Sequence, residues 1–204
     1  MVDMYRKKLG FTLLELLVTL VVLSVVVAVA IPSFQSTIEK NSISASISEF
    51  AATLRLARTE AVKRGRLVVV CPSADQASCS GTWQNGWLVF EDTNANGSYS
   101  AVADDLIRVH EALVADNILQ WSDAGSATWA DDVTTFIQYN GRGLITTSNG
   151  TFKVCSRSRN NKWARALVVG LVGSLRYGID NTNDGIYEDE SGANLSCPAN
   201  GATP

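Results

Sequence analysis

The sequence predicts an α+β chain: one long N-terminal α-helix packed on an antiparallel β-rich head. Three observations carry this. An apolar run occupies Leu13 to Ile31. No glycine occurs from Phe11 to Arg64 and Pro32 is the only breaker, so one helical pattern extends well past that run. After Gly65 the pattern changes to short β-rich runs separated by turn residues.

Composition sets the outer limits. The chain has 204 residues, enough for an ordinary domain with a real core. A net charge of −3 excludes a wholly basic nucleic-acid binder, and five Trp exclude a disordered acidic protein. No second run approaches ~18 apolar residues, which excludes a polytopic membrane protein. A single histidine, His110, excludes a multi-histidine metal site within the chain.

The first half of the helix reads as a membrane segment. Arg6, Lys7 and Lys8 precede the apolar run and no comparable basic cluster follows closely. That bias keeps the N-terminus cytoplasmic and exports the rest. Ala28-Val29-Ala30 resembles the cleavage site of an ordinary signal peptide. Glu15 argues against that reading, because a carboxylate inside the run costs roughly 2.5–3.5 kcal/mol and serves no purpose in a disposable signal. The helical pattern also continues past Pro32, where the missing backbone donor predicts a kink.

Beyond Pro32, Ile43, Ile47, Phe50, Leu54, Ala57 and Ala61 recur at steps of three and four, an apolar stripe that seats a globular head. Arg55, Arg58, Lys63, Arg64 and Arg66 gather at the helix end, where cations favour the dipole and are expected to be solvated. Gly65 is the expected stop. The expected strands are Arg66–Cys71, Trp87–Glu91, Leu106–Glu111, Ile118–Trp121, Val133–Tyr139, Thr151–Cys155, Ala166–Leu171 and Ser174–Tyr177.

The four cysteines lie in the exported part, where an even count points to disulfides, and three pairings exist. The favoured one joins Cys71 to Cys79, closing a short loop, and Cys155 to Cys197, tying the tail to a strand. The rival zinc site lacks CxxC spacing. Asp92, Asn94 and Asn96 before Gly97 match the opening of a calcium loop, but position twelve is Ala103 instead of Glu. Asx- and Gly-rich turns are the preferred reading. Calcium on Asp92, Asn94, Asn96 and Asp104 is the rival, and no other cofactor is expected. Asn181 to Tyr187 repeats the pattern.

Charge is segregated. Lys153 to Arg176 holds six basic residues and no acid, among them Arg157, Arg159, Lys162, Arg165 and Arg176. Glu91 to Asp132 carries nine acids and Asp180 to Glu190 five more. The basic stretch, with Trp163 in it, is a candidate patch for DNA phosphates or for an oppositely charged partner. No nucleophile elbow, phosphate loop or metal cluster is present in the sequence, so no enzyme is expected.

Lys8-Leu9-Gly10-Phe11-Thr12-Leu13-Leu14-Glu15 resembles the class III signal of type IV pilins and type II secretion pseudopilins. The resemblance implies cleavage after Gly10 by a prepilin peptidase, N-methylation of Phe11, and pairing of Glu15 with a neighbouring subunit's terminal amine to set register. It implies a leader over 1–10, a transmembrane and filament-core half-helix over 11–32, an amphipathic half over 33–65 and a β-rich head with an acidic tail over 66–204. The later order of Ala57 to Gly65, Cys71-Pro72-Ser73, Cys79, Trp83, Gly86-Trp87, Phe90, Asp92 to Gly97 and Leu106-Ile107-Arg108 is similar to the FimU, FimT and GspH group, most closely to the FimU-like members.

That group implies a single-pass protein of the bacterial inner membrane with a non-catalytic periplasmic head. Its expected role is a minor pilin in a priming or tip complex of a type IV pilus, serving twitching motility. Its expected partners are other minor pilins, the major pilin and the inner-membrane assembly platform. The alternatives are a GspH-like pseudopilin and a FimT-like DNA-binding pilin. The Gly-Arg-x-Arg motif of the latter is matched here only by Gly173-Ser174-Leu175-Arg176, which lacks the first Arg.

Overall fold

The computed structural model describes residues 12–126, 128–130 and 135–198. Gly10 and Phe11 lie outside the described residues. A single helix, α1, covers Leu13–Arg64. The chain divides into two compact units, Met1–Ile38 and Glu39–Pro204, so their boundary falls inside α1.

In the first unit α1 begins at Thr12, whose side-chain oxygen accepts a hydrogen bond from the Glu15 N–H at 3.2 Å. This is the N-cap arrangement expected of Thr-x-x-Glu. Every side chain from Thr12 to Ile31 is exposed. The two hydroxyl residues within the run turn back on their own helix: Thr19 donates to the Leu16 carbonyl at 2.8 Å and Ser24 to that of Val21 at 2.7 Å. Self-satisfied hydroxyls leave the surface of the run effectively apolar, as a bilayer requires. The helix runs through Pro32, whose side chain lies outside the described residues.

In the second unit the predicted stripe is the core. Ile43, Ile47, Phe50, Ala51, Leu54, Ala57 and Ala61 are all buried. Phe50 stands at its centre, edge-on to Trp83, Trp87 and Phe152 at 4.5 to 5.4 Å between ring centroids. The helix stops at Gly65, which takes a left-handed φ of +66°. The Arg66 N–H donates to the Ala61 carbonyl across it, the reach-back bond of a glycine-terminated helix.

Eight strands follow: β1 Val68–Pro72, β2 Trp87–Glu91, β3 Asp105–His110, β4 Ile118–Asp123, β5 Ile137–Tyr139, β6 Gly150–Cys155, β7 Arg165–Val169 and β8 Leu175–Tyr177. They form two four-stranded sheets in the orders β3-β2-β1-β5 and β4-β6-β7-β8, with antiparallel neighbours throughout. Both sheets turn one face to the α1 stripe. The first contributes Val68, Val70, Trp87, Val89, Ile137 and Tyr139 to that core; the second contributes Leu119, Trp121, Phe152, Val154, Leu167 and Val169.

Each sheet is also covered on its other face. The loop after β1 and the loop after β2 cover Val69, Cys71, Leu88 and Phe90 with Cys79 and Tyr99. The tail after β8 covers Cys155, Ala164 and Ala166 with Ile186, Tyr187, Leu195 and Cys197. Each covering is tied down by a disulfide: Cys71–Cys79, eight residues apart, and Cys155–Cys197, 42 apart.

Candidate functional site

Glu15 sits in the first turn of α1 and is exposed, with its N–H held by Thr12. A carboxylate near the helix N-terminus is favoured by the helix dipole. Its carboxyl group has no partner among the described residues.

At the C-terminal end of α1, Arg55, Lys63 and Arg66 are exposed as expected, whereas Arg58 and Arg64 are not simply solvated. Arg64 joins three acids: Glu60 at 2.8 Å, Glu91 at 3.0 Å and Asp105. The hydrogen bond it donates to Asp105, then those to Glu60 and Glu91, raise the guanidinium further above its usual range. Arg64 thereby ties the helix end to β2 and β3. Arg58 donates from Nε to the Gly143 carbonyl at 3.0 Å and from Nη2 to the Val172 carbonyl at 2.9 Å, joining two loops to the helix. Apart from Glu60, these partners lie 27 or more residues away, beyond the reach of any local sequence pattern.

The candidate DNA patch is divided between internally engaged and exposed cations. Arg157 pairs with Asp116 at 3.3 Å. Arg159 bends onto the Ser156 carbonyl, and burial lowers its guanidinium against the opposing pull of Asp116. Arg165 caps the carbonyls of Trp163 and Ala164 and lies 4.1 Å from the centre of the Tyr187 ring. Lys162 and Arg176 are exposed and make no side-chain hydrogen bond or ion pair among the described residues. Lys153 is almost wholly buried, donating to the Ser196 carbonyl at 2.6 Å above the Trp129 ring. Its burial lowers the ammonium to about 8. Lys153 and Arg165 thereby help to seat the tail after β8.

The two Asx-rich loops share one geometry. Asp92 accepts from the Asn96 and Gly97 N–H groups, and Asp180 from those of Asp184 and Gly185. Asp92 also takes the Gln138 amide at 3.1 Å. Asn94 accepts from the Asn96 N–H and Asn96 from the Ser98 N–H. Asp104 closes the loop by accepting from the Thr93 and Ser100 N–H groups. In the second loop Glu188, buried, accepts four hydrogen bonds from Asn181 and Thr182. Each carboxylate thus has a structural use in shaping its loop. Among the described residues no three His, Cys, Asp or Glu side chains form a metal-holding group.

His110 joins α1 to β3. Its Nε2 lies 2.8 Å from the Glu49 carboxylate, its Nδ1 2.6 Å from the Glu111 carbonyl, and its ring stacks on Trp87 with centroids 3.8 Å apart. Both of its neighbours are acceptors, and this arrangement clasps the helix to an edge strand.

An apolar helix carrying one carboxylate near its start, joined to a stapled β-rich head, defines a membrane-anchored subunit of the pilin and pseudopilin class. A model of the prokaryotic N-terminal methylation motif matches residues 5–31. The family model described as Type II transport protein GspH matches residues 46–173, more than half the chain, and the protein belongs to that family. Among solved structures, the type IV minor pilin FimU of Pseudomonas aeruginosa PAO1 is 22% identical, with 78% of this chain and 98% of that one covered at a TM-score of 0.53. The minor pseudopilin EpsH of the Vibrio cholerae type II secretion system is 15% identical, with 68% and 94% covered at 0.49. No curated protein sequence matches. The family places the chain among minor pilins and pseudopilins of type IV pili or type II secretion, assemblies built from several such subunits.

Proposed function

We propose that the protein is a minor pilin that helps initiate a type IV pilus as part of a priming or tip complex, with its head in the periplasm and its helix in the inner membrane. The observation that carries this reading is the fully exposed apolar helix from Leu13 to Ile31 with Glu15 in its first turn. Such a surface is covered first by lipid and then by sister helices. Hydrophobicity hardly changes in that transfer, so packing and the Glu15 ion pair decide association. Processing between Gly10 and Phe11 by a prepilin peptidase leaves a methylated amine, and the major and minor pilins and the assembly platform are the partners. The role is structural, not catalytic. The likeness in fold to FimU favours the pilus.

The printed name of the family model favours a second reading, a GspH-like pseudopilin of type II secretion. Deleting the gene separates the two. Lost twitching with normal secretion supports the pilus, and the reverse outcome replaces it with the secretion system. In the complemented strain, Glu15→Ala is expected to be cleaved and methylated as usual, by mass spectrometry of the N-terminus, yet to be missing from sheared filaments. Normal incorporation would remove Glu15 from the mechanism. The basic stretch gives DNA binding less support than its sequence suggests, because Lys153, Arg159 and Arg165 are engaged internally, and a gel shift with the head is expected to show no retardation at low salt.

A further inference from the structure

Two loops meet α1 around Arg58. Its hydrogen bonds to the Gly143 and Val172 carbonyls hold residues 140–145 and 170–174 against the helix, and the Ile145 N–H donates to the Leu171 carbonyl at 3.0 Å. The approach is close: a Cβ placed on Gly173, which has φ +71°, would lie 2.2 Å from the Gly143 carbonyl oxygen. Held this way, the loops present apolar side chains outward. Val172 is 61% exposed, Leu171 55% and Leu144 38%, and Val62 of α1, beside them, is 52% exposed. Beside them is a cavity of about 370 Å³ lined by Arg55, Arg58, Thr59, Gly173 and Leu175.

Arg55 is exposed and makes no ion pair or side-chain hydrogen bond among the described residues. No carboxylate lines the cavity. The acid of this part of the helix, Glu60, is engaged by Lys63 and Arg64. The face therefore combines exposed aliphatic side chains with an unneutralised guanidinium, the composition of an interface core.

We propose that this face docks an acidic segment of a neighbouring subunit's head, with a carboxylate on Arg55 and aliphatic side chains on Leu171 and Val172. The proposal rests on the reading of the chain as an assembling pilin or pseudopilin and names the chemistry of one neighbour. Charge complementarity supplies the choice of occupant: an unpaired arginine fork on an apolar ground matches a carboxylate beside aliphatic groups. A nucleic acid would need a row of cations without the aliphatic ground.

The test is pairwise co-purification of the full-length chain, in detergent, with each pilin-like subunit of its own assembly. Arg55→Glu and Val172→Asp alter exposed side chains only and are expected to keep the wild-type melting profile and leader cleavage. Retention of one subunit should fall about tenfold in each, and an acid-to-arginine change on that subunit should restore binding to Arg55→Glu. Arg157→Glu, in the basic stretch and outside this face, should leave retention unchanged. Wild-type retention by both variants overturns the proposal. So does retention of acidic-lipid vesicles or duplex DNA by the wild type that is lost in Arg55→Glu, which would assign the face to those ligands. Failure of the assembly reading itself registers separately, as a gene deletion without effect on twitching or secretion.

Discussion

The two sheets share one plan and differ in chemistry. Each lays an apolar face on α1 and has its other face covered by segments that include one disulfide and one Asx-Gly loop. On the first sheet the covered face is apolar: Val69, Cys71, Leu88 and Phe90. On the second it is largely polar: Gln120, Ser122, Thr151 and Lys153 are all buried, interleaved with Cys155, Ala166 and Val168. The first covering is held by hydrophobic contact and its short disulfide adds to that. The second depends on hydrogen bonds, such as Lys153 to the Ser196 carbonyl and the Glu190 N–H to Thr151, and on a long-range covalent tie. Similar architecture therefore gives two coverings with different dependence on their cysteines.

The largest effect should come from the residue both sheets share. Phe50→Ala removes the ring touching Trp83, Trp87 and Phe152, and is expected to cost about 3–5 kcal/mol in urea unfolding of the head, with both sheets lost in one transition. Separate transitions would show that the sheets do not depend on a common core.

Next comes the long tie. Replacing Cys155 and Cys197 by Ser is expected to cost about 4 kcal/mol from loop closure, and replacing Cys71 and Cys79 about 2.5 kcal/mol. Proteolysis of the first double variant should begin in the tail. Equal losses in urea unfolding would mean that loop length does not distinguish the two coverings.

The smallest effect is a pH slope. Burial lowers the Lys153 ammonium to about 8, with Asp189 opposing, whereas an unfolded lysine titrates near ~10.4. The penalty for keeping it charged is fully present below about 8 and is relieved as pH rises toward about 10.4. Head stability, read as the urea midpoint, should gain a rising contribution from this group across that window, and Lys153→Met should remove it. An unchanged slope in the variant would assign the rise to other groups.

The helix and the strand sites were legible because burial follows period. The stripe from Ile43 to Ala61 and seven strands can be read from spacing and turn residues alone, with ends shifted by a residue or two. For β5 only Ile137–Tyr139 is strand among the described residues, and Val133 lies outside them. Pairing was not legible. β5 joins the first sheet although β4 and β6, its neighbours in sequence, pair with each other in the second. No local pattern encodes which strand edge another will find. The same limit affected the cations. Arg58 and Arg64 read as solvated charge, and Lys153 as part of a basic patch, because partners that fix them lie 27 to 114 residues away. Lys153 sits among basic residues in sequence, yet its place in β6 turns it under the tail.

The Cys155–Cys197 bond also limits how far the head can be drawn out. An extended chain covers about 3.4 Å per residue, so the 42-residue separation withholds roughly 140 Å of contour from any stretching of the head. Between those two positions the Cα atoms stay 5.8 Å apart whatever happens to β7, β8 and the tail. A subunit under traction in a fibre can lose its second covering without lengthening there, and it recovers by refolding a tethered loop.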